Sequence, residues 1–222
     1  MRTNPYLLPH KGLRNLLGKV SLLTGNVDSN SLHDLKKLKW YSNELFYLLE
    51  QHAKVEDTIV LPDLEKRVPG STVENEEEHE MLEALVEVLK VQLDDLQVGD
   101  NPKKFIQYFM DFSSFHAKYL EHMLMEENKV LHVIWSNYSD EELAFQHHEI
   151  ISSFTPEKIL RWFRFIIPAL NPTERFHALA GVKANAPKIF FDTLMAMVEE
   201  ELNPLDYSRL TMDLLPVAPA VS

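Results

Sequence analysis

The chain of 222 residues contains no cysteine. Disulfide bonds, thiolate metal sites and iron–sulfur clusters are therefore excluded, because each of them needs cysteine sulfur. Any metal that this protein binds must be held by nitrogen and oxygen ligands. Glycine is also scarce, at six residues, in a composition that is otherwise 45% hydrophobic and 25% charged. Those proportions are typical of a globular protein that can bury a core.

Long apolar runs and an excess of positive charge are missing as well. No stretch approaches the roughly 20 apolar residues that cross a membrane. The segment from Met1 to Pro9 lacks the charged-then-apolar layout of a signal peptide, so we expect a cytoplasmic protein. The formal net charge is −12, and phosphate backbones and anionic lipids repel such a chain. We therefore expect neither nucleic acid nor a membrane as a partner.

No segment alternates like a strand, and apolar residues recur at helical spacing almost throughout, which predicts an all-α fold. Four long helices account for the first part of the chain, and we expect them to form an antiparallel up-down four-helix bundle over residues 1–135. The first begins near Pro9. The second begins after the polar cap at Ser31, and we expect Pro62 and the loop Val68-Pro69-Gly70-Ser71 to end it. The fourth carries a stripe of five aromatic residues that continues into His122 and Glu126.

Shorter helices follow the bundle, and most of them begin at prolines. Their expected starts are Ser139, Thr155-Pro156, Asn171-Pro172, Ala186-Pro187 and Asn203-Pro204. We interpret residues 136–222 as a helical C-terminal appendage, in which Pro216 to Ser222 is frayed.

Two His-x-x-x-Glu pairs carry the strongest chemical signal. His52 and Glu56 are four residues apart on the second predicted helix, and His122 and Glu126 repeat this spacing on the fourth. Residues at this spacing point in nearly the same direction on a helix. Each pair can therefore supply one nitrogen and one oxygen to the same small volume.

Chain order brings two single histidines to the same level. In an antiparallel bundle, the starts of the first and third helices lie beside the ends of the second and fourth. His10 and His79 are early in their helices, whereas both pairs are late in theirs. The predicted metal ligands are His10, His52, Glu56, His79, His122 and Glu126. Four imidazoles and two carboxylates across two metals favour iron, with zinc or another divalent metal as the alternative.

Each of these residues also has an ordinary structural interpretation. An inward histidine such as His79 is often a hydrogen-bonded core residue, and a His-x-x-x-Glu pair on an exposed helix is usually a solvated ion pair. Two pairs and two single histidines at one level favour shared ligation instead. Burying Glu126 in line with aromatic residues would be costly without a partner for its charge.

Other candidates have suitable chemistry but a less suitable position. Glu83 lies one turn after His79 and could supply a further carboxylate. Tyr119 lies one turn before His122 and could either bond a bound ligand or simply pack. The remaining candidates are His116, which lies off the aromatic stripe, the His147-His148 pair, and the Glu-x-x-His spacings at Glu76/His79 and Glu174/His177, which fit a ferritin-like site poorly.

The motifs taken together resemble the hemerythrin-like (HHE cation-binding) family. They are Pro9-His10-Lys11-Gly12-Leu13-Arg14, His52-x-x-x-Glu56-Asp57, Glu78-His79 and His122-x-x-x-Glu126-Glu127, in the family's order and within residues 6–135. The resemblance implies an oxo- or hydroxo-bridged non-haem di-iron centre, in which the two glutamates bridge both metals and the histidines complete each site.

The sequence departs from the oxygen-carrying members of that family at two positions. Those members place a second histidine one turn after the ligand of the third helix, where this chain has Glu83, and they end the last motif as HxxxxD, where this chain has His122-x-x-x-Glu126. The departures move the expected function from reversible oxygen carriage toward sensing or oxidation.

Three functional hypotheses follow from the sequence. The first is a protein that binds or senses dioxygen, nitric oxide or peroxide at the metals. The second is an oxidase or peroxidase-type enzyme that uses the same centre. The third is an interaction module in which metal mainly stabilises the bundle. In each case the C-terminal helices could make a homo-oligomer or bind a protein partner.

Overall fold

The computed structural model describes residues 2–215, and every regular element in that range is helical. The predicted all-α class is therefore confirmed for this part of the chain. The segment expected to be frayed, 216–222, lies outside the described residues. The elements, including two π-helical turns, are α1 (Leu7–Asn26), α2 (Leu32–Val55), π1 (Glu56–Val60), α3 (Leu61–Arg67), α4 (Val73–Asp95), α5 (Pro102–Met125), π2 (Glu126–Val130), α6 (Leu131–Asn137), α7 (Asp140–Ser152), α8 (Pro156–Ala169), α9 (Pro172–Asn185), α10 (Lys188–Glu201) and α11 (Pro204–Asp213).

Polar caps begin several helices where the sequence predicted them. The Ser31 hydroxyl accepts a hydrogen bond from the amide of Asp34 at the start of α2. Ser139 and Glu142 form a reciprocal capping box at the start of α7. Thr155 caps α8, whose first residue is a proline. These caps satisfy amide groups that the first turn of a helix leaves without partners.

Helices α1, α2, α4 and α5 pack in a closed ring. Helix α1 contacts α2 and α5, and α4 contacts the same two helices. The core inside the ring holds fully buried aromatic rings, among them Phe46, Phe112 and Phe115. Burying one such side chain stabilises a fold by about 1.5–3 kcal/mol. The ring provides the apolar surroundings in which the predicted ligand residues lie.

The second and fourth long helices each lead into a π-helical turn that periodicity did not predict. Helix α2 continues through π1 into α3, and α5 continues through π2 into α6. We expected Pro62 to help stop the second helix, but it lies in the first turn of α3. A proline is tolerated there, because the first turn of a helix does not need its missing amide. The helix ends before Gly70, whose positive φ of 84° favours glycine.

By packing, the described residues form two compact units that divide between Ser153 and Phe154. Helix α7 belongs to the first unit, because it contacts π1 and buries Leu143 in the same apolar cluster as Val60. The boundary between 1–135 and 136–222, which we drew from helix length, stays a prediction about folding units.

The second unit consists of α8 to α11. Helix α10 contacts α8, α9 and α11, and α9 also contacts α11. Trp162, Phe165 and Leu194 are buried in its core. Arg175 is buried as well, where it donates to the carbonyl of Ile167 and pairs with Asp206. None of the helices within residues 2–215 is long and apolar enough to cross a membrane.

Candidate metal centre

The six predicted residues come together inside the first unit. They form two overlapping groups that share Glu56 and Glu126, and within each group the candidate ligand atoms lie within 4.8 Å of one another. Each of the six is at most 6% exposed. The first group consists of His10, His52, Glu56 and Glu126, and the second consists of Glu56, His79, His122 and Glu126.

Each shared glutamate is the first residue of a π-helical turn. Glu56 begins π1 immediately after α2, and Glu126 begins π2 immediately after α5. A π turn adds one residue to a helical turn and so re-aims the side chains beside it, which is why such turns are frequent at functional sites. The two His-x-x-x-Glu pairs therefore share a backbone feature as well as a spacing.

The two carboxylate oxygens of Glu126 face different histidines. Its Oε2 lies 3.2 Å from Nε2 of His10 and 4.0 Å from Nε2 of His52. Its Oε1 lies 3.2 Å from Nε2 of His122 and 3.8 Å from Nε2 of His79. This carboxylate can therefore serve both groups at once, one oxygen to each.

Glu56 also lies between the two groups. Its Oε2 is 3.6 Å from Nε2 of His52 and 3.4 Å from Nε2 of His79. The Nε2 atoms of His10 and His52 are 3.0 Å apart. Two ligands at right angles, each about 2.1 Å from one metal, lie about 3.0 Å from each other. The shortest spacings in the cluster are those expected between neighbouring ligands of a transition metal.

Several atoms of the cluster lack hydrogen-bond partners although they are fully buried. A buried polar atom without a partner costs about 1–3 kcal/mol, so such atoms are few in folded proteins. A bound cation would satisfy all of these atoms together, and the donor set fits iron, zinc or a similar metal. The atoms are both oxygens of Glu56, Oε2 of Glu126, Nε2 of His79 and Nε2 of His122.

Three of the histidines are oriented by carboxylates on their outer side. Nδ1 of His79 is 2.8 Å from Asp57, Nδ1 of His10 is 2.8 Å from Glu127, and Nδ1 of His122 is 2.8 Å from Glu78. A carboxylate on Nδ1 fixes the ring and its tautomer, so that Nε2 points at the metal. The sequence motifs include these three acids, but we had assigned them no role.

Two more polar residues support Glu126 and its neighbour. Nδ2 of Asn75, which is buried, donates to Oε1 of Glu126 at 3.0 Å. Arg14 holds Glu127 with two hydrogen bonds of 2.6 and 2.9 Å. Asn75 is not among the predicted site residues, although its position one turn before His79 places it on the same face of α4.

The two shared carboxyl groups have opposite pKa shifts. Burial, and after it the negative charge of Glu126, raises the pKa of Glu56 to about 8. Burial also acts to raise the pKa of Glu126, but close contacts from His10 and His122 hold it well below its usual value. Two carboxylates that share one site cannot both ionise freely. Without metal, the pair therefore holds one proton on Glu56 at neutral pH.

The pKa values of the histidines are also shifted in opposite directions. Burial would lower the pKa of His79, but the carboxylates of Glu126 and Glu56 raise it to about 11. Burial, and after it the nearby His10, lowers the pKa of His52 well below its usual value. Without metal, the positive charge on His79 compensates the negative charge on Glu126. Metal binding would replace this internal ion pair.

Two tyrosines flank the cluster. Tyr119 is 4% exposed, and its ring centroid is 5.6 Å from that of His122. Tyr6 is 2% exposed, and its ring centroid is 5.1 Å from that of His10. Burial, and after it the charges of the two shared glutamates, raises the pKa of both hydroxyls well above the usual value. Both side chains are therefore neutral hydrogen-bond donors at physiological pH.

The other candidates from the sequence lie outside the two groups. Glu83 is exposed, His116 is partly buried against Phe112, and the remaining histidines are exposed. Glu76 accepts a hydrogen bond from Thr72 instead of joining its neighbour His79 as a ligand. The remaining sequence candidates, which also lie outside both groups, are His147, His148, Glu174 and His177.

Two cavities reach His79. One, of about 270 Å³, is lined by apolar residues, among them Leu82 and Val86, by Tyr119 and by three glutamates of α2 and α4. The other, of about 280 Å³, is lined by Asp57 and by acidic residues of α4. Glu83 lines both, so it stands at the approach to the cluster without belonging to it.

A helical bundle with two histidine pairs and two shared, buried glutamates defines a cluster that can hold metal cations. The sequence profile of the hemerythrin HHE cation binding domain matches residues 6–134. The chain belongs to this family, whose domain binds metal cations, and the resemblance found in the sequence is confirmed. Searches of curated proteins and of solved structures found no significant match.

Proposed function

We propose that this chain is a non-haem di-iron protein that binds or senses a small ligand, namely dioxygen, nitric oxide or peroxide. One observation carries the proposal. The two oxygens of Glu126 face different histidine pairs, so this one carboxylate could supply an oxygen to each of two metal ions. The proposed ligands of the pair are the six residues of the two groups.

Iron is favoured over other metals by the donor set. Imidazole suits iron, zinc and copper, carboxylates suit harder ions, and a chain without cysteine offers no thiolate to select a softer metal. An iron pair, when bound, supplies electrons and open coordination positions to a small ligand. The outer acids orient three of the histidine ligands, and the buried position of the cluster limits its contact with bulk water. Glu56 and His79 hold protons until metal replaces them.

We further propose that the ring of four helices is an antiparallel up-down bundle, with the C-terminal helices as an appendage. His10 and His79 occur early in α1 and α4, whereas His52 and His122 occur late in α2 and α5. All four meet in one cluster. Alternating helix directions bring early and late positions together in this way.

The apolar cavity beside His79 supports a small ligand. At about 270 Å³, it falls just below the range of about 300–1,000 Å³ that holds drug-sized molecules. Leu49, Ala53 and Leu82 line it together with three glutamates. A cavity of this size suits a diatomic molecule better than a large substrate. Glu83, at the position where oxygen carriers have a histidine, is exposed and outside the donor groups. This supports sensing or oxidation over reversible carriage.

An oxidase or peroxidase-type enzyme is the second candidate. The acidic cavity of about 280 Å³ gives His79 another approach beside the apolar one, and a centre that turns over benefits from separate routes for substrate and product. The third candidate, an interaction module stabilised by metal, rests on the helices of the second unit, through which we propose a homo-oligomer or a protein partner. A cytoplasmic location and the lack of a nucleic-acid partner also remain proposals.

Metal analysis and spectroscopy test the proposed function. Protein purified without air should contain about two irons per chain and should develop new charge-transfer bands on exposure to oxygen or nitric oxide. Reversal of the bands would indicate binding, whereas consumption of peroxide over many turnovers would indicate an enzyme. Zinc alone, with no spectral response, would contradict the proposal and favour the interaction module.

Substitution of one ligand provides a second test. His122→Ala should remove most of the iron, because His122 supplies one of the two histidines of its group. His132→Ala changes an exposed histidine on α6, outside both groups, and should keep the iron of the wild type. Equal iron content in the two variants would show that the six-residue cluster is not the metal site.

A further inference from the structure

Tyr6 occupies an unusual place beside the metal cluster. It directly precedes α1, and its amide donates to the side chain of Asn4. Its ring is buried in an apolar cluster formed largely by residues after the two shared glutamates, among them Val60 and Val130 at the ends of the π turns. Only 2% of the residue is exposed. The ring thus packs where the two interrupted helices continue past the metal cluster.

The hydroxyl of Tyr6 has no hydrogen-bond partner among the described residues. Leaving a buried hydroxyl unpaired costs about 1–3 kcal/mol, so phenylalanine would pack in the same place at lower cost. Tyr138, in the same apolar cluster, behaves differently, because its hydroxyl donates to Asp63 at 2.9 Å. The missing partner is therefore specific to Tyr6.

The surroundings of Tyr6 indicate where its partner would be. Its ring packs against the ring of His10, one of the proposed ligands. The charges of Glu56 and Glu126 both act on its hydroxyl, yet neither carboxylate is within hydrogen-bonding distance of it. The phenol thus stands beside the cluster as a donor, and residues 2–215 supply no acceptor for it.

We propose that the hydroxyl of Tyr6 donates a hydrogen bond to a non-protein oxygen or nitrogen atom held by the metals. This inference rests on the proposed di-iron function. The acceptor has two possible sources, a solvent-derived atom or the free end of a small exogenous ligand, and both have the same chemistry. If the acceptor belongs to the exogenous ligand, Tyr6 stabilises ligands with a hydrogen-bond acceptor over apolar ones.

Tyr6→Phe tests the proposal, with Tyr138→Phe as the matched control and azide as the probe. Tyr6→Phe should keep the iron of the wild type but bind azide about 3- to 10-fold more weakly, the effect of one hydrogen bond. If the acceptor is solvent-derived, the spectrum of the iron-loaded, azide-free protein should shift instead. Tyr138→Phe should change neither azide affinity nor spectrum.

Thermal unfolding adds a readout that needs no metal. In the metal-free protein, Tyr6→Phe should leave the melting temperature unchanged or raise it, whereas Tyr138→Phe should lower it, because only Tyr138 loses a bond within the protein. Loading with iron and azide should then raise the melting temperature of Tyr6→Phe less than that of the wild type.

Each other outcome overturns the inference. A metal-free Tyr6→Phe that melts as low as Tyr138→Phe would show that the hydroxyl has a partner in the protein. Loss of iron from a folded Tyr6→Phe would make the phenol a ligand instead of a donor. Unchanged spectra, azide affinity and iron-induced stabilisation would leave it only a packing role. If the wild type takes up no iron, the proposed function fails at its own step, and this inference fails with it.

Discussion

At the scale of single residues, three carboxylates outside the six proposed ligands orient three histidines of the cluster, namely Asp57, Glu78 and Glu127. Asp57 and Glu127 directly follow the two shared glutamates, and each holds the histidine of a different helix. In the pair Glu56-Asp57, the first acid thus belongs to the cluster, and the second orients a histidine of the cluster from outside. The same chain segment therefore provides one proposed ligand, Glu56, and orients another, His79, on a different helix.

Asp57→Asn should lower metal affinity by about 10- to 100-fold while the fold is kept, because an amide orients His79 less strongly than a carboxylate does. Titration with Fe(II) or Zn(II) under a competing chelator would measure the change. Asp94→Asn, on the exposed surface of α4, is the control and should bind metal as the wild type does. Equal affinities in the two variants would mean that the hydrogen bond from His79 to Asp57 does not support ligation.

Metal binding should release protons at pH 7. In the metal-free protein the pKa of Glu56 is about 8 and that of His79 is about 11, so both carry a proton that a metal must displace. Affinity should therefore strengthen as pH rises toward 8, where Glu56 ionises by itself. Calorimetric titration with Zn(II) in buffers of different ionisation enthalpy measures the protons. A binding enthalpy that is independent of the buffer would contradict this.

The sequence was sufficient to predict the six clustered residues. It was insufficient to predict the side chains that hydrogen-bond to them from outside the cluster. Helical spacing and chain order depend only on local periodicity, which a sequence displays directly. The contact from Asn75 to Glu126, or from Glu78 to His122, joins different helices. Such contacts depend on how far each helix is rotated about its axis, which the spacing within one helix leaves open.

At the scale of helices, the π turns are the feature that periodicity could not reveal. Caps such as Ser31 and Ser139 mark helix starts in the sequence itself, and those predictions are confirmed. A π turn carries no comparable mark, because one additional residue in a helix barely disturbs an apolar stripe. Even Pro62, a conspicuous residue, suggested an end and not an irregular continuation.

Deletion of Thr58 should convert π1 into an ordinary helical turn. Its side chain is exposed and donates a hydrogen bond to the carbonyl of Lys54, so the metal-free fold should survive. Glu56 would be re-aimed, and metal content should fall by at least half. Deletion of Thr193, in α10 of the second unit, provides a comparison that should keep the metal. Circular dichroism and metal analysis check both; full metal content after deletion of Thr58 would show that the π turn does not set the site.

At the scale of the whole molecule, the two packing units should respond differently to loss of metal. Among the described residues, the buried side-chain polar atoms without a hydrogen-bond partner all lie in the first unit, and most of them belong to the metal cluster. A ligand that binds the folded state stabilises it by about 4 kcal/mol at 1,000 times its dissociation constant. Metal should therefore stabilise the bundle helices and leave the local stability of α8 to α11 unchanged.

Hydrogen exchange with and without a chelator tests this expectation. Removal of metal should increase exchange in α2 and α5 near the two glutamates, because opening there no longer releases a bound ion. Amides of α8 and α10 serve as an internal reference and should exchange at the same rate in both samples. An equal increase in all helices would contradict separate responses of the two units.

The carboxylates around the cluster also set its overall charge. Two shared glutamates and three outer acids, Asp57, Glu78 and Glu127, surround neutral histidine ligands, and Arg14 adds one positive charge. Two ferrous ions would make this assembly electrically neutral. Oxidation of both ions would then leave two uncompensated positive charges in a buried place, where unbalanced charge is expensive. A change of redox state would therefore be coupled to the uptake of anions or the release of protons, and the oxidised form should bind anions more tightly than the reduced form.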